Sequence, residues 1–194
     1  MPYFLVILAY FIGSISTAIL ACKLLGKPDP RTVGSKNPGA TNVLRYAGKK
    51  AAIITLLGDS LKGLIPVAIG HALGLGWGWL VVIGFAAFLG HLYPVFYGFK
   101  GGKGVATAMG IYLGLHPVIG LAVIATWLAM AFAFNISSLA ALIATLLAPF
   151  YFYWVSESVP LLSGLLLITL LIYWRHRSNI NNILAGTEGK ISSK

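Results

Sequence analysis

The sequence predicts an all-α, polytopic membrane protein of about seven transmembrane helices, some of them short or re-entrant. Three observations carry that prediction. First, 58% of the 194 residues are hydrophobic and only 9% are charged, against about 25% charged residues in an ordinary soluble domain. So few charges cannot coat a globule, and disorder would need the opposite balance, with low hydrophobicity and high charge. Second, four charge-free runs, Met1–Cys22, Gly63–Phe99, Gly104–Ser156 and Ser158–Trp174, hold 129 residues, and a span needs about 20. Third, no ten-residue alternation of the kind a membrane barrel shows is visible, so helices, which satisfy their own backbone, are the remaining solution.

Each element follows from where the runs break. The first span is Tyr3–Cys22. Ile19-Leu20-Ala21-Cys22 loosely matches a lipoprotein cleavage site, but no basic residue precedes the apolar run, which reads as an uncleaved span. A basic loop, Lys23–Lys50, leads to a second span, Ala51–Leu73, which carries Asp59 and Lys62 inside it. Gly74–Gly78 turns the chain into a third span, Trp79–Phe96, closed by Pro94 and the Phe99–Gly104 loop. Pro117 and Asn135-Ile136-Ser137-Ser138 divide the longest run into Val105–Leu115, Pro117–Phe134 and Ser138–Val155. At 1.5 Å per residue the first of these reaches only about 16 Å. It must start at depth behind a protein-buried loop or be re-entrant. Val159–Trp174 is the last span, followed by the polar tail Arg175–Lys194. Nothing suggests a repeat or a second domain, so residues 1–194 read as one unit.

Seven spans put the Lys23–Lys50 loop, the Lys100–Lys103 loop and the tail on one side, together with every Lys and Arg except Lys62. By the positive-inside rule that side is cytoplasmic and the N-terminus is outside. A five-span alternative with re-entrant middle pieces keeps both ends where they are. The net charge of +10 is then a topology signal rather than a nucleic-acid footprint. The single cysteine, Cys22, excludes an intramolecular disulfide and a cysteine-based zinc site.

Three polar stretches fall on the basic side. In Gly34-Ser35-Lys36-Asn37-Pro38-Gly39-Ala40-Thr41-Asn42-Val43-Leu44-Arg45, small residues let backbone N–H groups converge on an anion. Thr41 or Asn42 would cap a following helix, and Arg45 would offer bidentate contacts to a phosphate. A solvated loop with an Asn-Pro turn explains the same composition. The second stretch, Tyr97-Gly98-Phe99-Lys100-Gly101-Gly102-Lys103-Gly104, precedes the short helix, and broken helices in membrane proteins present their N-termini to anionic substrates. It lacks the spacing of a Walker loop, so ATP hydrolysis is not expected. The third, Arg175-His176-Arg177-Ser178-Asn179-Ile180-Asn181-Asn182, continuing to Gly186-Thr187-Glu188-Gly189-Lys190, is more than a stop-transfer signal because of its asparagines.

Asp59 and Lys62 are spaced i, i+3 and can meet on one helix face, either as a structural ion pair or with Lys62 reaching a phosphate. His91 lies near the end of the third span, where a lone histidine usually bonds a helix end. His71 and His116 fall on the far side. Asp29, Asp59, Glu157 and Glu188 are scattered, no histidine has an aspartate five residues on, and there is no G-x-S-x-G elbow. Neither a metal nor another cofactor is expected.

Taken together, the three stretches closely resemble the PlsY family of bacterial acyl-phosphate:glycerol-3-phosphate acyltransferases, over essentially the whole chain. Asp59-Ser60-Leu61-Lys62-Gly63, Gly90-His91, Gly104-Val105-Ala106-Thr107 and Gly186-Thr187-Glu188 extend the match. Lys36 departs from it, standing where the family often has Gly. The resemblance implies an enzyme of the bacterial inner membrane, its site facing the cytoplasm. It would move an acyl chain from acyl phosphate to the sn-1 hydroxyl of glycerol 3-phosphate, giving lysophosphatidic acid and phosphate. The expected catalytic group is Ser35, Lys103, His176 and Asn179. The expected phosphate-binding group is Gly34, Asn37, Gly39, Thr41, Asn42, Arg45, Lys62, Lys100, Gly101, Gly102, Gly104 and Arg175.

Lys103 and the loop amides are suited to an oxyanion. The attacking hydroxyl's proton goes either to His176, kept neutral by Arg175 and Arg177, or to the acyl phosphate's own phosphate. We prefer the second, with His176 and Asn179 positioning glycerol 3-phosphate. An acyl-Ser35 intermediate is a third account, although Ser35 has no obvious base in its loop. A transporter for an organic phosphate is the rival class; the one-sided placement of the polar stretches argues against it. A lipid-binding scaffold would leave three anion-loop compositions unexplained.

Overall fold

The computed structural model describes residues 1–191, and among these it is helical throughout, without strands. The first apolar run is two helices, α1 (Pro2–Gly13) and α2 (Thr17–Leu24), meeting at 40°. The expected single span is therefore broken. The break frees backbone carbonyls inside an apolar run, and Lys62 Nζ donates to one of them, Ile15 O, at 2.9 Å.

The basic loop folds a short helix, α3 (Ala40–Ala47), before α4 (Lys49–Ala72) and α5 (Trp77–Leu92). A 3-10 turn, Val95–Tyr97, extends α5. Then come α6 (Val105–Leu115), α7 (Pro117–Phe134), α8 (Ser137–Ser156) and α9 (Val159–Arg175). The tail is not a simple polar coil, since Arg177–Leu184 forms α10 at 62° to α9.

Among the described residues, four segments are long and apolar enough to cross a membrane: α4, Trp77–Tyr97, α7 and α8. The bent pairs α1–α2 and α9–α10 bring the number to six, and α6 is a shorter apolar helix. This agrees with about seven helices, some of them short.

Helix pairs approach backbone to backbone at several glycines. A Cβ on Gly110 of α6 would lie 1.9 Å from Ser60 O of α4, and one on Gly63 of α4 would lie 2.2 Å from Thr107 O. Across α1 and α5, a Cβ on Gly13 would meet Ala87 O at 2.1 Å. Lipid offers no hydrophobic drive for helices to associate, so small residues that allow close contact do that work. Between α8 and α9 the contact is polar: Thr169 Oγ1 donates to Thr145 O at 2.8 Å, and Tyr173 OH to Leu142 O at 3.0 Å.

The core lies among α5, α6, α8 and α9, where Phe88, Tyr112, Phe152, Leu165 and Ile168 are fully buried. Helix α7 buries only Gly120 and Val123, whereas Phe132, Trp154 and Leu170 are exposed, as a lipid-facing surface requires. His71 and His116 sit away from the glycine loops. His71 Nε2 is 2.8 Å from Leu115 O, and His116 Nδ1 accepts from Ile119 N at the start of α7.

Candidate active site

The loop before α3 is organised around one buried amide. Asn42 Nδ2 donates to Pro30 O, Val33 O and Asn37 O, each at 3.1 Å, while Asn42 Oδ1 accepts from Ser35 N at 3.1 Å. Gly34 makes this possible: its φ is +58°, and a Cβ there would come within 2.4 Å of Asn42 Oδ1. Asn42 thus spends its side chain on shaping the loop. Neither Thr41 nor Asn42 caps α3; the N-cap is Gly39, and no side chain bonds the first turn.

The second loop sits on the end of α5. Gly102 N donates to His91 O at 3.2 Å. Arg175 Nη2 donates to Gly101 O at 2.8 Å and Gly102 O at 3.0 Å. Gly104 then starts α6 with φ +88° and no side-chain cap, and a Cβ on it would strike the Phe88 ring at 2.2 Å.

The loops close on a cavity of about 150 Å³. At roughly 10–15 Å³ per water this is a binding space rather than a packing gap. Besides the start of α10, with its N-cap His176, three helix N-termini reach its wall: Gly39, Ala40 and Thr41 of α3, Gly104, Val105 and Ala106 of α6, and Ser137 and Ser138 of α8. None of the three carries a side-chain cap. Their first-turn N–H groups and positive dipole ends suit a phosphate. Thr41 Oγ1 and Ser137 Oγ share a hydrogen bond at 3.0 Å, which ties two of these N-termini together.

Of the expected residues, Ser35, Asn37, Gly39, Thr41, Asn42, Arg45, Lys103, Gly104, His176 and Asn179 line the cavity. Gly34, Gly101, Gly102 and Arg175 stand behind the wall and shape it. Lys100 is exposed and off the wall. Lys62 is off it too, held by Asp59 Oδ1 at 2.8 Å and by Ile15 O, so it is the structural partner of an ion pair rather than a phosphate ligand.

The cavity also has groups that sequence reasoning did not select. Lys103 Nζ donates to Asn179 Oδ1, Asn179 Nδ2 donates to Glu188 Oε1 at 2.6 Å, and Ser138 Oγ donates to the same oxygen at 2.7 Å. Glu188, Asp59, His91, Trp127, Ser137 and Ser138 all line the wall. The alternation of spans puts the Asn135–Ser138 turn on the basic side, and that was the available clue to the two serines. Arg45 Nη2 donates to Gly189 O at 3.0 Å and Lys190 O at 2.8 Å, so the segment after α10 straps across α3.

Burial lowers the Lys103 pKa. Glu188 opposes the shift, and Arg175 and Arg45 add to it. His176, just beyond α9, is only 4% exposed. Burial, more than its cationic neighbours, pushes it down to about 4; Lys103 and Arg175 assist, while the Ile172 carbonyl and Glu188 oppose. His176 Nδ1 is 2.8 Å from Ile172 O. A carbonyl only accepts, so Nδ1 carries the proton and Nε2 keeps its lone pair.

Residues 3–186 match the family model described as glycerol-3-phosphate acyltransferase. The chain belongs to the glycerol-3-phosphate acyltransferase family. A family member from Thioalkalivibrio sulfidiphilus is 57% identical over 190 residues, covering 98% of this chain and 94% of the relative. One from Methylococcus capsulatus is 50% identical over 192 residues, covering 99% and 97%. Crystal structures of PlsY (YgiH), an integral membrane glycerol 3-phosphate acyltransferase, share the fold. The glycerol 3-phosphate form has a TM-score of 0.93 at 42% identity, and the lysophosphatidic acid form 0.90 at 41%. Each match covers 97% of this chain and 94% of the other. The chain is thus an all-helical member of an integral membrane acyltransferase family.

Proposed function

We propose that this chain transfers a fatty acyl group from acyl phosphate to the sn-1 hydroxyl of glycerol 3-phosphate, at the cytoplasmic face of a bacterial inner membrane. The observation that carries this reading is the convergence of three uncapped helix N-termini with Lys103 and Arg45 on one cavity among membrane helices. Both proposed substrates present a phosphate, and such a site stabilises phosphates. The one-sided distribution of basic residues supports the cytoplasmic orientation.

The chemistry needs no acyl-enzyme. The glycerol hydroxyl oxygen attacks the acyl carbonyl and forms the new C–O bond. The tetrahedral oxyanion is met by Lys103 and first-turn amides of α6. The bond to the phosphate oxygen then breaks, and the leaving phosphate takes the hydroxyl proton. His176 Nε2 accepts a hydrogen bond from the glycerol moiety, and Asn179 orients it from the other side. An imidazole whose conjugate acid has a pKa of about 4 is a weak base at neutral pH, which favours positioning over proton abstraction. Ser35, Asn37, Gly39 and Thr41 complete the phosphate cradle.

The test is purified protein in detergent with synthetic acyl phosphate and glycerol 3-phosphate. Release of phosphate matched by lysophosphatidic acid is the expected result. Well-folded protein that releases neither would favour transport of an organic phosphate. Acylated protein formed from acyl phosphate alone would favour the Ser35 route.

A further inference from the structure

Asp59, Lys62 and His91 form a cluster inside the membrane helices, at 2%, 5% and 7% exposure. Ionisable groups at such depth are costly and need a reason. Two of them have a structural one. Lys62 neutralises Asp59 at 2.8 Å and fills the carbonyl left open at the α1–α2 break. His91 is not required for that balance.

What His91 does touch is the phosphate loop. Its carbonyl accepts from Gly102 N at 3.2 Å. Its ring lies so close that a Cβ on Gly102 would sit 2.2 Å from Nε2 and 2.8 Å from Cε1. On its other edge, Nδ1 is 3.8 Å from Asp59 Oδ1. The imidazole is thus wedged between a fixed carboxylate and the residue before Lys103, and it lines the same cavity.

We propose that His91 is a positioning residue for the transfer reaction: braced by Asp59, it sets the height of Gly102 and so the placement of Lys103 and of the first turn of α6. The proposal rests on the reading that Lys103 meets the reacting phosphate or oxyanion. A displacement of about 1 Å costs a positioned group about a hundredfold in rate, and a loop of glycines has no side chains of its own to resist one.

The experiment compares His91→Ala, His91→Gln and Gly102→Ala, each alone and combined with Lys103→Gln, by kcat, KM and melting temperature in detergent. Lys103→Gln keeps a donor and so a measurable rate. His91→Ala and Gly102→Ala, which disturb one contact from opposite sides, are each expected to lower kcat by about a hundredfold. His91→Gln, with a polar atom near Nε2, recovers part of the loss. Combined with Lys103→Gln, each added loss shrinks to within about threefold, because residues acting through one another are not additive. Full additivity, or unchanged kcat in both single variants, overturns the proposal. Should His91→Ala not fold, Gly102→Ala carries the comparison. Parental activity in Lys103→Gln alone overturns the reading of Lys103 instead, whatever His91 does.

Discussion

Asn179 donates its side-chain amide to Glu188 Oε1 at 2.6 Å while its carbonyl oxygen accepts from Lys103. That polarity fixes which way the amide points. It also connects a carboxylate in the tail with a lysine 85 positions earlier in the chain. Glu188 favours the ammonium form of Lys103, against burial, Arg175 and Arg45. If Lys103 must be charged to act, activity falls as pH rises through its lowered pKa. Glu188→Gln removes the favourable charge and moves that alkaline limb to lower pH; Arg45→Gln removes an unfavourable one and moves it to higher pH. Rate–pH profiles of kcat/KM for the two variants check both signs.

His176 carries a separate prediction. Its folded pKa of about 4 lies below its ordinary 6.5. Between those values the unfolded chain takes up a proton that the folded chain refuses. Stability therefore rises with pH across that window and is lost as pH falls through it. His176→Gln flattens that slope in melting measurements from pH 4 to 7. At neutral pH, His176→Ala chiefly raises the apparent KM for glycerol 3-phosphate, the signature of lost positioning. A collapse of kcat with KM unchanged would make His176 the proton acceptor.

The two lysines of the glycine loop separate cleanly. Composition treats Lys100 and Lys103 alike, but only Lys103 lines the cavity and Lys100 is exposed. Lys100→Ala is expected to leave kcat/KM within about twofold, as surface substitutions do. Lys103→Met removes a half-buried donor that Asn179 and the reacting group both use, and loses at least about a hundredfold. Parallel initial-rate measurements decide between equal and unequal roles.

The contrast between these lysines shows what was legible beforehand. Charge-free runs mark spans because a charge in lipid is costly, so six of the seven expected segments emerge close to their bounds. The exception is the first, whose break at Gly13-Ser14-Ile15-Ser16 has no charge to mark it and is stabilised by Lys62, 47 residues away. Glycines and amides reveal that a loop serves an anion, but not which atoms face it. Asn42 turned inward to hold its own loop, and Arg175 took up carbonyls. The segment that holds Glu188 and the turn that holds Ser138 could both be picked out, but not their meeting across 50 residues. No local pattern pairs an acidic residue in a tail with a serine in a distant turn.

The helix pair beneath the site gives a final test, on stability rather than chemistry. Gly110 of α6 faces Ser60 O of α4, with 1.9 Å available to a Cβ. The obstacle is helix backbone, which cannot swing aside as a side chain would. Gly110→Ala must therefore push α6 off α4, and overpacking of this kind costs about 1–3 kcal/mol or more. Because α6 begins at the cavity with Gly104 and Val105, the same push displaces the N-terminus that faces the phosphate. The variant is expected to melt earlier in detergent and to lose activity in the fraction still folded. Gly76→Ala is the control: its backbone is extended at φ −72°, and nothing lies within 4 Å of a Cβ there. Equal melting temperatures for the two variants would mean that α4 and α6 do not meet through Gly110.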